Sequence, residues 1–225
     1  MNLKNIGKIV IGVGAVLIIY SFVTKKKVKN RNILFVGDSM TTIRDKNGNE
    51  NSGFQTYPNL IKKMNIPNIN IDVLAIGGKT TQWMKEELPK QLDLKNYDEV
   101  YIFGGTNDIF RGVPIKDVVS NVQEMVNLIN QKNIKSNVIV GSDTKEAWEE
   151  NLLNPKQWGL KTKDDILNVK KTYIDYQYNL NKNIKDSNLI TINMGKGTTY
   201  DGVHPNLQGN KIIAETITDT IKRGL

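Results

Sequence analysis

The sequence predicts an α/β fold: a three-layer α/β/α sandwich on a five-stranded parallel, flavodoxin-like sheet, preceded by one N-terminal hydrophobic helix. Three observations predict it. After residue 32, short apolar runs rich in β-branched residues alternate with stretches of helical periodicity. Four of these five runs end at glycine, which suits a strand that must turn sharply into a helix. The remaining support is size: 225 residues, 39% hydrophobic and 24% charged, suit one globular domain with an added apolar segment.

The apolar segment comes first. Ile9 to Val23 carries no charge, and extending it to Ile6–Thr24 gives nineteen residues that include Lys8. As a helix this stretch spans roughly 28 Å, close to the roughly 30 Å hydrocarbon core of a bilayer. A secretory signal peptide and a buried helix are the competing readings. Against the signal peptide, no small-residue cleavage site follows, since Ser21-Phe22-Val23-Thr24 runs into Lys25-Lys26-Lys27. Residues 1–31 are therefore expected to form a membrane anchor and basic linker, and residues 32–225 the folded domain. Five basic residues after the span against two before it point to a cytoplasmic C-terminal domain, whereas single-pass anchored domains are often exported. The side of the membrane stays open.

The same division explains the charge. The formal net charge is +8, but Lys4, Lys8, Lys25, Lys26, Lys27, Lys29 and Arg31 all fall in the first 31 residues, which contain no acidic residue. Of 31 basic residues, 24 remain against 23 acidic ones, so residues 32–225 stand at +1. A basic nucleic-acid-binding domain is not expected.

Within the domain the expected strands are Ile33–Val36, Ile69–Ile76, Val100–Phe103, Val138–Val140 and Leu189–Ile192. Helices are expected near 54–64, 80–92, 115–132, 164–186 and 207–222. The third has the clearest apolar face, with Val118, Val122, Met125, Val126 and Ile129 at three- and four-residue spacing. Strands that alternate with helices imply parallel βαβ units, and such sheets bind ligands at the carboxyl ends of their strands.

Polar, glycine-rich segments stand at those ends. Gly37-Asp38-Ser39-Met40 follows the first strand, Gly77-Gly78-Lys79-Thr80-Thr81 the second and Gly105-Thr106-Asn107-Asp108 the third. Asp201-Gly202-Val203-His204-Pro205 precedes the last helix. Together these residues suit acyl transfer. Ser39 is the candidate nucleophile, and a serine hydroxyl needs a base within hydrogen-bond reach. His204 is the only histidine in the chain, and Asp201, three residues earlier, can orient its imidazole. The N–H groups of Ser39 and Gly78 and the amide of Asn107 are candidate oxyanion donors. Each segment also has a plainer reading. Gly37 and Gly77 can serve only as tight turns, Asp201-Gly202 as a turn, Pro205 as a helix start, and Asn107 and Asp108 as helix caps.

The four segments, in this order, resemble the blocks of the SGNH hydrolases, also called GDSL-type esterases and lipases, over residues 32–222. The resemblance implies Ser39 as nucleophile, Gly78 and Asn107 as oxyanion donors, and Asp201 and His204 as orienter and base. It also implies the same three-layer sandwich. Met40 stands where the family motif has leucine, and Ala75 where the second block often has asparagine. The activity implied is hydrolysis of acyl or acetyl esters of small molecules, carbohydrates or lipids through an acyl-serine intermediate. No metal and no organic cofactor is expected. A membrane- or virion-attached glycan-binding module on the same fold is the alternative.

Other chemistries are excluded or weakened. With no cysteine, disulfide scaffolds, thiolate zinc sites and cysteine nucleophiles cannot be built, and one histidine cannot make an HExxH zinc site. Gly78-Lys79-Thr80 looks like the end of a phosphate-binding loop, but residue 73, where the loop's first glycine belongs, is Val73. Residues 143–163 hold Trp148 and Trp158 and are read either as an aromatic wall over the site or as core packing. Trp83 and Met84 are read as helix core.

Overall fold

The computed structural model describes residues 29–43, 55–141 and 152–224. The apolar segment expected at 6–24, its basic linker to Val28 and Trp148 lie outside the described residues. Among the described residues no helix is long and apolar enough to cross a membrane.

Five parallel strands form one sheet: β1 (Arg31–Gly37), β2 (Ile69–Ala75), β3 (Glu99–Phe103), β4 (Lys135–Gly141) and β5 (Asn188–Ile192). Their order is β2-β1-β3-β4-β5, the flavodoxin-like order expected. Among the described residues six α-helices accompany them: α1 (Tyr57–Lys63), α2 (Thr81–Leu94), α3 (Thr106–Phe110), α4 (Ile115–Gln131), α5 (Lys163–Asn183) and α6 (Leu207–Arg223).

Strand periodicity sorts the helices into two layers. Successive strand side chains point to opposite faces, so one strand feeds two cores. Leu34, Val36, Val100, Ile102, Val138 and Val140 pack with α2, α4 and α5 through Met84, Leu88, Val122, Met125, Tyr173 and Tyr176. The alternate residues Ile33, Phe35, Tyr101, Phe103, Ile139 and Ile190 pack with α1 and α6 through Tyr57, Ile61, Ile213, Ile217 and Ile221. Because β1 and β3 are covered on both faces, each reads as an unbroken apolar run. Each fully buried aliphatic side chain is worth about 1.5–3 kcal/mol, so these two cores supply most of the drive to fold.

The strands run past their apolar cores at the polar ends. Arg31, Glu99 and Lys135, one per strand, form an ion cluster around the buried Glu99, which pairs with Arg31, lies 3.6 Å from Nζ of the exposed Lys135 and accepts a 2.8 Å hydrogen bond from the Tyr101 hydroxyl. Asn137 donates to the Val100 carbonyl at 3.3 Å, and Asn188 donates to the Asn137 side chain at 3.1 Å. These polar residues extend β3, β4 and β5 beyond the predicted limits because each finds its partner on a neighbouring strand. The four longest helices start and stop within two or three residues of their expected limits. The five-residue α3 was not expected.

Gly37 ends β1 where the chain must pass close to β3. A Cβ at this position would lie 2.6 Å from the Phe103 carbonyl oxygen and collide with the Thr41 hydroxyl. Gly37→Ala is therefore expected to destabilise the fold by about 1–3 kcal/mol, read as a lower midpoint in thermal or denaturant unfolding. An unchanged midpoint would show that this approach tolerates a methyl group.

Candidate active site

The loops after β1, β2 and β3 lie side by side because β1 sits between β2 and β3. The chain leaves β1 towards β2 on one side and returns at β3 on the other, so the loops after β1 and β3 flank the point where the strand order reverses. Ser39 stands in the first of these loops. Its turn is closed by the Thr41 and Thr42 N–H groups on the Asp38 carbonyl, at 3.1 and 2.9 Å, and by the Met40 N–H on the Asp38 side chain at 3.0 Å. Met40 is buried in the core shared by β1, α1 and α6, so methionine fills the place of the leucine.

The last of the four segments is a folded turn ahead of α6. Thr199 bridges Pro205, the Tyr200 N–H donates to the His204 carbonyl at 3.1 Å, and Gly202 supplies a φ of 89° at its apex. Within it the Asp201 carboxylate accepts from the Val203 and His204 N–H groups at 3.0 and 2.7 Å. Its other oxygen lies 2.7 Å from His204 Nδ1. His204 Nε2 in turn lies 2.8 Å from Ser39 Oγ, across 165 residues of sequence. Burial opposes the ionisation of Asp201, but hydrogen bonds from His204 and Val203 outweigh it and hold the carboxyl below its ordinary pKa.

Gly78 lies in the turn Ile76–Lys79, closed by the Lys79 N–H on the Ile76 carbonyl at 3.3 Å, with φ of 77°. A Cβ on the neighbouring Gly77 would sit 3.7 Å from Ser39 Cβ, so this turn borders Ser39. The N–H groups of Ser39 and Gly78 have no acceptor among the described residues. The Asn107 side chain is held on two acceptors. Its amide donates to the Asp38 carboxylate at 3.2 Å and to the Lys79 carbonyl at 3.1 Å.

Asp38 and Tyr200 were given no role of their own by the sequence, and other neighbours find theirs here. Asp38 is fully buried, and desolvation raises its pKa from 3.8 to about 6 despite the Met40 N–H, the nearby His204 and the Asn107 amide. Asp108 is a cap, as its plainer reading held, but it caps α2 rather than its own helix, accepting from Thr81 N–H at 2.9 Å and Thr81 Oγ1 at 2.8 Å. Burial raises its pKa while those bonds lower it. Trp158 satisfies both readings offered for it. It stacks on Phe110 with centroids 4.3 Å apart and lies 5.6 Å from the His204 ring, and it also packs against the core shared by α2, α4 and α5. Tyr200, 63% exposed, stacks near-parallel on His204 at 5.6 Å. An exposed tyrosine in a polar turn gave no signal of this contact. Lys79 lies with its ammonium 5.6 Å from the Trp83 ring, and Met84 is buried as helix core. A cleft of about 440 Å³ opens beside Ser39 and His204, lined also by Tyr200, Pro205, Leu207 and Thr56.

The chain matches the model of the GDSL-like Lipase/Acylhydrolase family over residues 35–212. The protein belongs to this family. It is a carboxylic ester hydrolase. Among curated proteins none matches the chain in sequence. Solved structures that resemble it include the psychrotrophic esterase EstA from Pseudoalteromonas sp., with TM-score 0.59, 19% identity, and coverage of 86% of this chain and 97% of that one. A carbohydrate acetylesterase family member from Sinorhizobium meliloti has TM-score 0.63, 14% identity, and coverage of 87% and 100%. A catalytic mutant of an acetylxylan esterase from Geobacillus stearothermophilus has TM-score 0.59, 17% identity, and coverage of 86% and 94%. At these identities the likeness establishes the shared fold of the hydrolase and nothing finer.

The buried Asp38 gives the hydrolase a pH-dependent stability. With a folded pKa of about 6 against 3.8, its contribution is fully present below about pH 4 and is lost as pH rises through about 6. Between pH 5 and pH 8 this loss amounts to about 1.5 kcal/mol. Asp38→Asn is expected to lose less unfolding free energy than the natural protein over that interval, measured by denaturant titration at both pH values. Parallel losses in the two proteins would show that Asp38 is ionised throughout.

Proposed function

We propose that the protein is a serine esterase in which Ser39 is the nucleophile, His204 the general base and Asp201 the orienting carboxylate. The observation that carries this reading is the continuous chain Ser39 Oγ, His204 Nε2, His204 Nδ1, Asp201 Oδ2, with links of 2.8 and 2.7 Å. In the first step His204 Nε2 takes the proton of Ser39 Oγ as that oxygen attacks the ester carbonyl carbon. The tetrahedral oxyanion is met by the Ser39 and Gly78 N–H groups. The Asn107 amide joins them by giving up its bond to the Lys79 carbonyl, so its contribution grows as charge develops. The imidazolium, held by Asp201, passes its proton to the leaving alcohol, and an acyl-serine remains. Water activated by His204 then attacks the acyl carbonyl and releases the acid and Ser39.

The named activities of two of the similar structures, a carbohydrate acetylesterase family member and an acetylxylan esterase, favour an acetyl ester as the first substrate to try. Attachment to a membrane through residues 6–24 is part of the proposal and rests on the length and apolarity of that segment alone. Its check is retention of the full chain in the membrane fraction after alkaline carbonate extraction.

Steady-state hydrolysis of p-nitrophenyl acetate tests the chemistry. Ser39→Ala and His204→Ala are expected to lose about a thousandfold or more in kcat with the fold intact, and Asp201→Asn a comparable amount. Turnover that survives Ser39→Ala would overturn the assignment.

A further inference from the structure

The oxyanion turn has no side chain to hold it. Gly77 and Gly78 occupy its centre, and nothing lies within 4 Å of where a Cβ on Gly78 would stand. A Gly-Gly turn is free to flip its central peptide, which reverses the direction of the Gly78 N–H. Some other group must hold Gly78 in place.

The short helix α3 provides it. Its residues bond in turn to the β2–α2 segment: Arg111 Nη2 donates to the Gly78 carbonyl at 2.7 Å, Asn107 Nδ2 to the Lys79 carbonyl at 3.1 Å, and Asp108 accepts from Thr81 N–H at 2.9 Å. Of these, the Arg111 bond is shortest and sits nearest the catalytic peptide. It completes a clamp on the single peptide plane between Gly78 and Lys79. The carbonyl of that plane is held by Arg111, and its N–H is held by the Ile76 carbonyl at 3.3 Å. With this plane fixed, Gly78 is anchored at its carbonyl end with φ of 77°, so the place from which its N–H projects is set by these two bonds. Arg111 is itself placed by the end of α3, where its N–H donates to the Asn107 and Asp108 carbonyls at 3.2 and 3.1 Å. Thus the helix that carries the Asn107 donor also sets the Gly78 donor.

We propose that Arg111 is a positioning residue for the oxyanion hole, acting through the Gly78 carbonyl rather than on the substrate. The proposal rests on the assignment of Gly78 as an oxyanion donor. It accounts for an exposed arginine whose side-chain hydrogen bond among the described residues is to a backbone carbonyl, while its charge also acts on the Asp108 carboxylate.

The test compares Arg111→Ala, Arg111→Lys and Arg111→Gln with the natural protein and Ser39→Ala, using p-nitrophenyl acetate turnover, the rate of fluorophosphonate labelling and thermal unfolding. Because a displacement of about 1 Å at a reacting group can cost about a hundredfold, Arg111→Ala is expected to lower kcat about 10- to 100-fold. KM should stay within about threefold and the unfolding midpoint should be unchanged, since Arg111 is exposed. Fluorophosphonate labelling should slow in proportion. Arg111→Lys or Arg111→Gln, each able to donate one hydrogen bond to the carbonyl, should recover part of kcat. Natural kcat in Arg111→Ala would overturn the proposal, as would a loss confined to KM, which is the mark of a substrate contact. A kcat loss that tracks a fallen unfolding midpoint and is not rescued by Lys or Gln would also overturn it, in favour of a structural role. Failure of the parent assignment looks different: the natural protein and Ser39→Ala would then turn over alike.

Discussion

A serine hydroxyl is a poor nucleophile until a base stands within hydrogen-bond reach, and in this chain the single histidine lies 165 residues from Ser39. The 2.8 Å contact between them is the requirement on which the rest of the architecture turns. Ser39 is delivered by the end of β1, and His204 by the turn that opens α6. Their meeting depends on how α6 packs. Ile213, Ile217 and Ile221 seat α6 in the same core as Ile33 and Phe35 of β1, so one apolar face aligns both halves of the pair. Polar contacts then fix the height of the helix. Asn206 caps it through the Gln208 and Gly209 N–H groups, and Asn210 accepts the Tyr57 N–H at 2.9 Å while donating to the Pro205 carbonyl at 2.8 Å.

A second constraint is the price of two buried carboxylates. Asp38 and Asp108 are both nearly or fully buried, and desolvation raises the pKa of each. Such groups are retained only where their hydrogen bonds accomplish something that apolar packing cannot. Asp38 joins the Ser39 turn to the Asn107 amide, and Asp108 joins α3 to the start of α2, with Asn121 adding a 3.1 Å bond to Thr81 Oγ1. Three loops far apart in sequence are thereby tied into one frame. In the proposed mechanism, the stiffness of that frame is what keeps the donors in place as charge develops on the substrate.

Much of this was legible in the sequence, for reasons that can be stated element by element. Runs such as Ile33–Val36 and Val100–Phe103 report burial on both faces of a parallel sheet, and the five strands, five of the helices and the strand order follow from them. Ser39, Gly78 and Asn107 stood out because they follow strands, and Asp201 and His204 because the single histidine stands three residues after an aspartate, just before the last helix. What escaped were interactions without a period. Glu99 and Lys135 belong to strands although charged, since their partners are on neighbouring strands. The five residues of α3 are too few to show a repeat. Asp108 reads as a local cap, but the N–H it accepts lies 27 residues away. Tyr200 and Trp158 reveal their contact with His204 only when the turn before α6 is folded.

The central claim is that His204 activates Ser39 for covalent attack. Fluorophosphonate labelling followed by peptide mass mapping tests it most directly. The account predicts a single adduct on the peptide containing Ser39, lost in His204→Ala, which keeps the serine but lacks the base. A natural protein that takes no label, or an adduct that forms at the same rate without His204, would contradict it.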